Sequence, residues 1–226
     1  MKPEIIRTSK FVETAVAYIG TAARQAIEER GFFRIALSGG NTPRPVYGAL
    51  AQKDLHWAKW IVTFGDERCV PPDDPQSNFR MVSESLLTLA QPGEVHRMEG
   101  EIDPDQAAAN YEKLLHSLAA RFNETRYTHD LILLGLGGDG HTASLFPQTA
   151  ALQETQRDVV SNFVPKFNTH RITFTYPLIN ASRRVAFLVN DPSKKPVIDQ
   201  VLERGHGFPS EGIQPTSGAL VWLLGE

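Results

Sequence analysis

Asp139 stands two residues before His141 inside a glycine-rich stretch, Gly135-Leu136-Gly137-Gly138-Asp139-Gly140-His141. Imidazole exchanges protons near neutral pH, so such a histidine can take one from water. A carboxylate beside it fixes the tautomer or raises the basicity of the ring. The pattern points to proton transfer, and the competing reading is a histidine that only bonds its own loop. A second stretch is Ser38-Gly39-Gly40-Asn41-Thr42-Pro43. Glycines let a backbone approach an anion, and a helix start beyond them offers N–H groups and a positive dipole end. A phosphate cradle and a plain βα turn both use this pattern. The third is Asp66-Glu67-Arg68, with Ser77-Asn78 further on. A guanidinium suits a phosphate or a developing oxyanion because its planar fork donates in pairs. A surface ion-pair cluster is the alternative there.

Other chemistries fit less well. Gly135 to Gly140 matches G-x-G-x-x-G, the dinucleotide fingerprint, but that motif should open a helix and Pro147 follows soon after. Glu154 and Asp158, at the distance of a ribose-binding acid, follow no clear strand. No Walker lysine follows either glycine loop, and no G-x-S-x-G elbow occurs. His96, His116, His129, His170 and His206 lack metal-ligand spacing, and Asp139 with His141 lacks a third ligand. Neither a metal nor a cofactor is expected. Cys69 is the only cysteine, so no internal disulfide can form, and it reads as a packing residue in a reducing compartment.

The elements that must hold these residues alternate. Val12 to Ile27 repeats at helical spacing, with Ser9 as its expected N-cap and Gly31 just past its end. Phe32 to Ser38 reads as a strand, and Pro43 and Pro45 open a helix. Trp60 to Phe64 is a strand that ends in the loop Gly65 to Arg68. Ser77 is placed to cap a helix carrying Phe79, Val82, Leu86 and Leu89. Asp103, Pro104 and Gln106 start a helix that runs to Phe122. Asp130 to Leu134, Arg171 to Tyr176, Val185 to Val189 and Ala219 to Leu224 read as strands, and Ser193 to Leu202 as a helix. This order predicts a three-layer, mainly parallel twisted sheet with helices on both faces, Rossmann-like, in a single α/β domain over residues 1–226. In such sheets ligands bind at the carboxyl ends of strands, so the loops 38–42, 65–68 and 135–142 should meet at one site.

Composition restricts the partners. Lys and Arg total 23 against 26 Asp and Glu, a net charge of −3 without a polybasic run, which argues against nucleic acid. The longest apolar runs are too short to span a bilayer, and no signal-peptide core appears near the N-terminus. A cytoplasmic protein with no membrane partner is expected, with a monomer as the default.

Three segments together resemble the 6-phosphogluconolactonase family. They are Ala36 to Pro43, Phe64 to Pro71 with Ser77-Asn78, and Gly135 to Pro147; Arg171-Ile172-Thr173 and Trp222 are similar too. The match runs in order along nearly the whole chain. The resemblance implies hydrolysis of 6-phospho-D-glucono-1,5-lactone to 6-phospho-D-gluconate, the second step of the oxidative pentose phosphate pathway. It implies a catalytic group of His141 as general base, Asp139 and Arg68. It further implies substrate and phosphate binding by Ser38, Gly39, Gly40, Thr42, Asp66, Arg171 and Lys194. The related glucosamine-6-phosphate deaminase pattern carries Phe-Asn-Glu-Pro where this chain has Ser144-Leu145-Phe146-Pro147, so Phe146 replaces the glutamate that serves proton transfer there. A deaminase-like enzyme and a silent sugar-phosphate sensor are the alternatives. The usual Thr-Gly-x-x-Lys turn reads Asn190-Asp191-Pro192-Ser193-Lys194 here, with Lys195 next to it. The usual aspartate after Trp-Leu-Leu is absent from the end of the chain.

Overall fold

Side chains alternate faces along the strands, and that alternation divides the core in two. Ile35, Leu37, Leu131, Leu133, Ala186, Leu188, Val221 and Leu223 pack on one side of the main sheet. Ala36, Ile132, Leu134, Val185, Phe187, Val189, Trp222 and Leu224 pack on the other. A strand apolar on both faces cannot stand at a solvated surface, so both faces are covered by helices. The computed structural model describes residues 2–226.

The strands, in chain order, are β1 (Glu4–Thr8), β2 (Phe33–Leu37), β3 (Trp60–Phe64), β4 (Asp66–Arg68), β5 (Glu94–Val95), β6 (Leu131–Leu134), β7 (Val159–Val164), β8 (Thr169–Phe174), β9 (Arg184–Val189) and β10 (Ala219–Gly225). Seven of them form one sheet in the order β1-β10-β9-β6-β2-β3-β5, every pair parallel. The other three make a small antiparallel sheet, β4-β8-β7. The chain runs outward from β2 through β3 to β5, then returns to place β6 on the far side of β2. The order therefore reverses between β2 and β6, and a crevice opens beyond their carboxyl ends.

The helices are α1 (Phe11–Arg30), α2 (Pro43–Leu50), α3 (Asn78–Val82), α4 (Thr88–Ala90), α5 (Pro104–Arg121), α6 (Tyr176–Asn180) and α7 (Lys195–Glu203). α1, α2 and α3 cover one core, and α5, α6 and α7 the other. Trp222 lies flat on Phe187, with ring centroids 4.0 Å apart. Burying a large apolar side chain of this kind contributes roughly 1.5–3 kcal/mol. Asp103 caps α5 by accepting from the N–H groups of Asp105 and Gln106. Ser77 caps α3 by accepting from the Arg80 N–H. Gly31 ends α1 with φ +85°, a left-handed value that favours glycine. Among the described residues, no helix is long and apolar enough to cross a membrane.

Several expected boundaries shift. Lys10, not Ser9, occupies the N-cap position of α1, and the hydroxyl that bonds there is Thr8 Oγ1, which accepts from the Lys10 N–H at 3.0 Å. The helix after Ser77 widens into a π turn over Ser83–Leu87. The strand expected over residues 171–176 lies at Thr169–Phe174, because Pro177 lets Tyr176 open α6. A 3₁₀ turn, Pro192–Lys194, precedes α7. Asp66 to Arg68, expected as loop, is a strand because β8 pairs with it.

Candidate active site

Four adjacent strands, β9, β6, β2 and β3, send their carboxyl-end loops to one cavity of about 320 Å³. Ser38 to Pro43 line it after β2, Asp66 and Arg68 after β3, Gly135 to Gly137 and His141 to Ala143 after β6, and Asp191 and Lys194 after β9. The three loops singled out in the sequence thus meet at the switch point, with a fourth from β9.

The glycine loop after β2 supplies donors. Ser38 is 6% exposed, yet among the described residues its Oγ has no partner while it lines the cavity. An unpaired buried hydroxyl costs stability unless a ligand takes it. Tyr47 fixes the loop: its hydroxyl accepts from the Ser38 N–H at 3.1 Å and donates to the Ser38 carbonyl at 2.9 Å. Burial pushes the Tyr47 phenol pKa upward, so it stays protonated for this task. Among the described residues, the N–H groups of Gly39, Gly40, Asn41 and Thr42 donate to no acceptor in the chain. Thr42 stands at the N-cap of α2 without a side-chain cap bond. Pro43 and Pro45 bring no N–H to that first turn, so the loop contributes more donors than the helix.

Three cations gather without a carboxylate partner within 4.0 Å among the described residues: Arg68, Arg171 and Lys194. Arg68 donates through Nη1 to the Gln76 carbonyl and lines the cavity. Arg171 pairs directly opposite it across β4 and β8, beside Arg68 and off the cavity wall. Burial first, then the charge of Arg68, lowers the Arg171 pKa. Like charges facing each other across two strands repel, and an anion between them relieves this. Lys194 Nζ donates to the Leu136 carbonyl at 3.1 Å at the cavity edge. Lys195 instead pairs with Asp199 at 2.7 Å, which separates the two lysines. Asp191 turns its carboxylate to the Ser193 N–H and hydroxyl, at 3.0 and 2.7 Å.

Asp66 is buried and held from two sides, by the Ser144 hydroxyl at 2.7 Å and the Asn78 amide at 3.2 Å. Its neighbour Glu67 turns inward and accepts from the N–H groups of Arg68, Asn78 and Phe79. Burial raises its pKa, and those hydrogen bonds oppose the rise.

His141 Nδ1 hydrogen-bonds Asp139 Oδ1, and Lys166 Nζ sits 3.1 Å from Asp139 Oδ2. Burial alone would raise the Asp139 pKa, but His141 and then Lys166 outweigh it and hold it at about 2. Asp139 is therefore ionised and can only accept, so Nδ1 carries the proton and Nε2 bears the lone pair. Nε2 has no partner among the described residues, and His141 lines the cavity. Asp139 itself stands behind the ring. Phe146 stacks on that ring at 4.0 Å, with 22° between the planes. Lys166 and Tyr47 carried no signal in spacing and meet the site only through the fold, whereas Phe146 stood out only where the resemblance set it against the deaminase glutamate.

The glycine stretch after β6 opens no helix, unlike the dinucleotide fingerprint. Burial, opposed by Arg171, pushes the Cys69 thiol pKa up to about 11, which keeps it neutral, and it packs against the core. Among the described residues, no three His, Cys, Asp or Glu side chains gather closely enough to hold a metal ion.

A switch-point cavity lined by free N–H groups, unpaired cations and an oriented histidine defines a parallel α/β protein built for a small anionic ligand. Residues 7–222 match the family model for glucosamine-6-phosphate isomerases/6-phosphogluconolactonase, and the chain belongs to this family. A 6-phosphogluconolactonase of Synechocystis is 43% identical, over 99% of this chain and 96% of its own. One from Nostoc is 43% identical, over 95% of this chain and 90% of its own. The crystal structure of 6-phosphogluconolactonase from Thermotoga maritima superposes with a TM-score of 0.89 at 29% identity and covers 100% of both chains.

Proposed function

We propose that this chain hydrolyses 6-phospho-D-glucono-1,5-lactone to 6-phospho-D-gluconate, in the cytoplasm, as the second step of the oxidative pentose phosphate pathway. The observation that carries the reading is the single cavity that joins the His141–Asp139 pair to unpaired cations and free loop N–H groups. His141 Nε2 takes a proton from water as the water oxygen attacks C1 of the lactone. The tetrahedral oxyanion gathers its charge beside Arg68. The C1–ring oxygen bond then breaks, and the imidazolium returns its proton to the departing oxygen. Asp139 keeps Nε2 as the basic nitrogen throughout. The phosphate rests on Gly39, Gly40 and Thr42 with Ser38, and Arg171 and Lys194 supply charge. Asp66 shapes the floor between the two ends.

Phe146 weighs against the deaminase chemistry of the wider family. Its hydrocarbon ring lies where that chemistry uses a glutamate, and it gives His141 no carboxylate with which to relay a proton. Retention of both Asp139 and His141 weighs against a silent sensor.

The test generates the lactone in situ with a glucose-6-phosphate dehydrogenase and follows its loss at neutral pH, with chelator present. Wild type accelerates hydrolysis above the spontaneous rate, and His141→Ala lowers kcat by about 10²–10⁴. Near-normal turnover by His141→Ala removes the general-base assignment. No acceleration by wild type removes the lactonase reading.

A further inference from the structure

A three-residue turn of the small antiparallel sheet reaches the His141–Asp139 pair by two routes. The turn, Pro165–Phe167, joins β7 to β8. Along the first route, Lys166 Nζ holds Asp139 Oδ2 at 3.1 Å. Asp139 Oδ1 is taken by His141 Nδ1 and, at 3.3 Å, by the His141 N–H. Each carboxylate oxygen thus has its own partner, and the carboxylate cannot rotate without losing both. Along the second route, Phe167 meets Phe146 edge-on, with centroids 5.7 Å apart and planes at 84°. Phe146 in turn stacks on the His141 ring.

Core packing does not explain why the turn reaches this pair. Phe146 is buried, at 6% exposed, but Phe167, which meets it, is 49% exposed, and neither ring belongs to the two core clusters. The Lys166 side chain is 61% exposed, and an ion pair at such a position adds little to stability. Its placement matters for what Asp139 does. The Arg171 guanidinium sits 5.6 Å from the centre of the Phe167 ring, which ties the same turn to the unpaired arginines.

We propose that Lys166 and Phe167 are positioning residues that hold the His141–Asp139 pair in its Nδ1–H tautomer, with Nε2 free toward the cavity. The effect on rate rests on the lactonase reading; the effect on the imidazole does not. Lys166→Met should lower kcat about two- to fivefold with little change in KM, since the pair is largely exposed. Lys166→Arg, which keeps the charge, should restore it. Lys166→Met combined with Phe167→Ala should lower kcat about tenfold, because an aromatic contact is lost as well. Both side chains are exposed enough that the variants should melt close to wild type. Nitrogen-15 NMR of labelled histidine, taken where the ring is neutral, reads the tautomer directly. The His141 signal should move toward an Nε2–H mixture in the double variant.

An unchanged tautomer signal in the double variant overturns the proposal. So does a Lys166→Arg variant that behaves like Lys166→Met, for the Lys166 route. If wild type fails to turn over the lactone but the tautomer signal moves in the double variant, the positioning role stands and the lactonase reading falls.

Discussion

Glycine at position 137 is demanded by a neighbouring ring. A Cβ there would lie 1.9 Å from His141 Nδ1 and 2.7 Å from Asp139 Oδ1, so any side chain displaces the pair. Gly39 is bare for a similar reason: a Cβ would lie 1.7 Å from Asn78 Oδ1. Gly40 differs, since its φ of +104° needs glycine while nothing crowds a Cβ. Gly137→Ala should therefore cut kcat by about 10²-fold or more while the chain stays folded, because His141, the proposed general base, leaves its place. Steady-state kinetics beside a melting curve checks this, and a variant with wild-type kcat would show that the pair tolerates displacement. At this scale the sequence marks glycine-rich loops but not the reason for each glycine. The reason at 39 is a side chain distant in sequence, and at 137 one just around a turn. Lys166 was equally illegible, since 27 residues separate it from Asp139.

Elements place the polar residues through contacts that no local pattern carries. β4 consists of Asp66, Glu67 and Arg68, three charged residues that become a strand only because β8 pairs with them. That pairing sets Arg68 opposite Arg171 and turns Glu67 inward to the N-terminus of α3. Glu67 accepts from three N–H groups and, at 3.1 Å, from the Ser77 hydroxyl, so one carboxylate fixes both Arg68 and Asn78. In Glu67→Gln an NH₂ must face groups that themselves donate. The variant should lose about 1–3 kcal/mol of stability, the cost of unpaired buried groups, and should raise KM as Arg68 shifts. Chemical denaturation and kinetics on one preparation test the linkage; unchanged stability would mean the cap is dispensable. Elements with their own signals were legible from sequence: Asp103 before Pro104, Ser77 before α3, and Gly31 after α1. β1, β5 and β7 were not. β1 and β5 are short edge strands, and β7 takes its place only by pairing with β8.

The whole molecule is a parallel sheet whose order reverses where the cavity opens, and alternation of strands with helices was enough to anticipate that architecture. Its pH response was not foreseeable, because it depends on what surrounds His129 in the core. His129 is fully buried, with Nε2 2.9 Å from Thr63 Oγ1. Thr63 spends its own proton on the Ile35 carbonyl at 3.0 Å, so Nε2 donates and the neutral ring fits the site. Nδ1 has no partner. Burial first, then the charge of Arg34, pushes the His129 pKa down from 6.5 to about 3. Between those values the unfolded chain binds a proton that the folded chain refuses. Stability is thus full above the unfolded value and falls as pH drops toward about 3, by about 1.4 kcal/mol per pH unit within the window. Asp139 acts lower, between its ordinary 3.8 and about 2, while burial raises the Glu67 carboxyl, so from pH 6 down to 5 it is the comparison with a variant lacking the imidazole that isolates His129. Urea denaturation across that range should show wild type losing stability more steeply than His129→Gln, which keeps an N–H donor for Thr63. Parallel stability curves for the two proteins would mean that His129 takes up its proton inside the folded core, and the buried neutral imidazole would have to be abandoned.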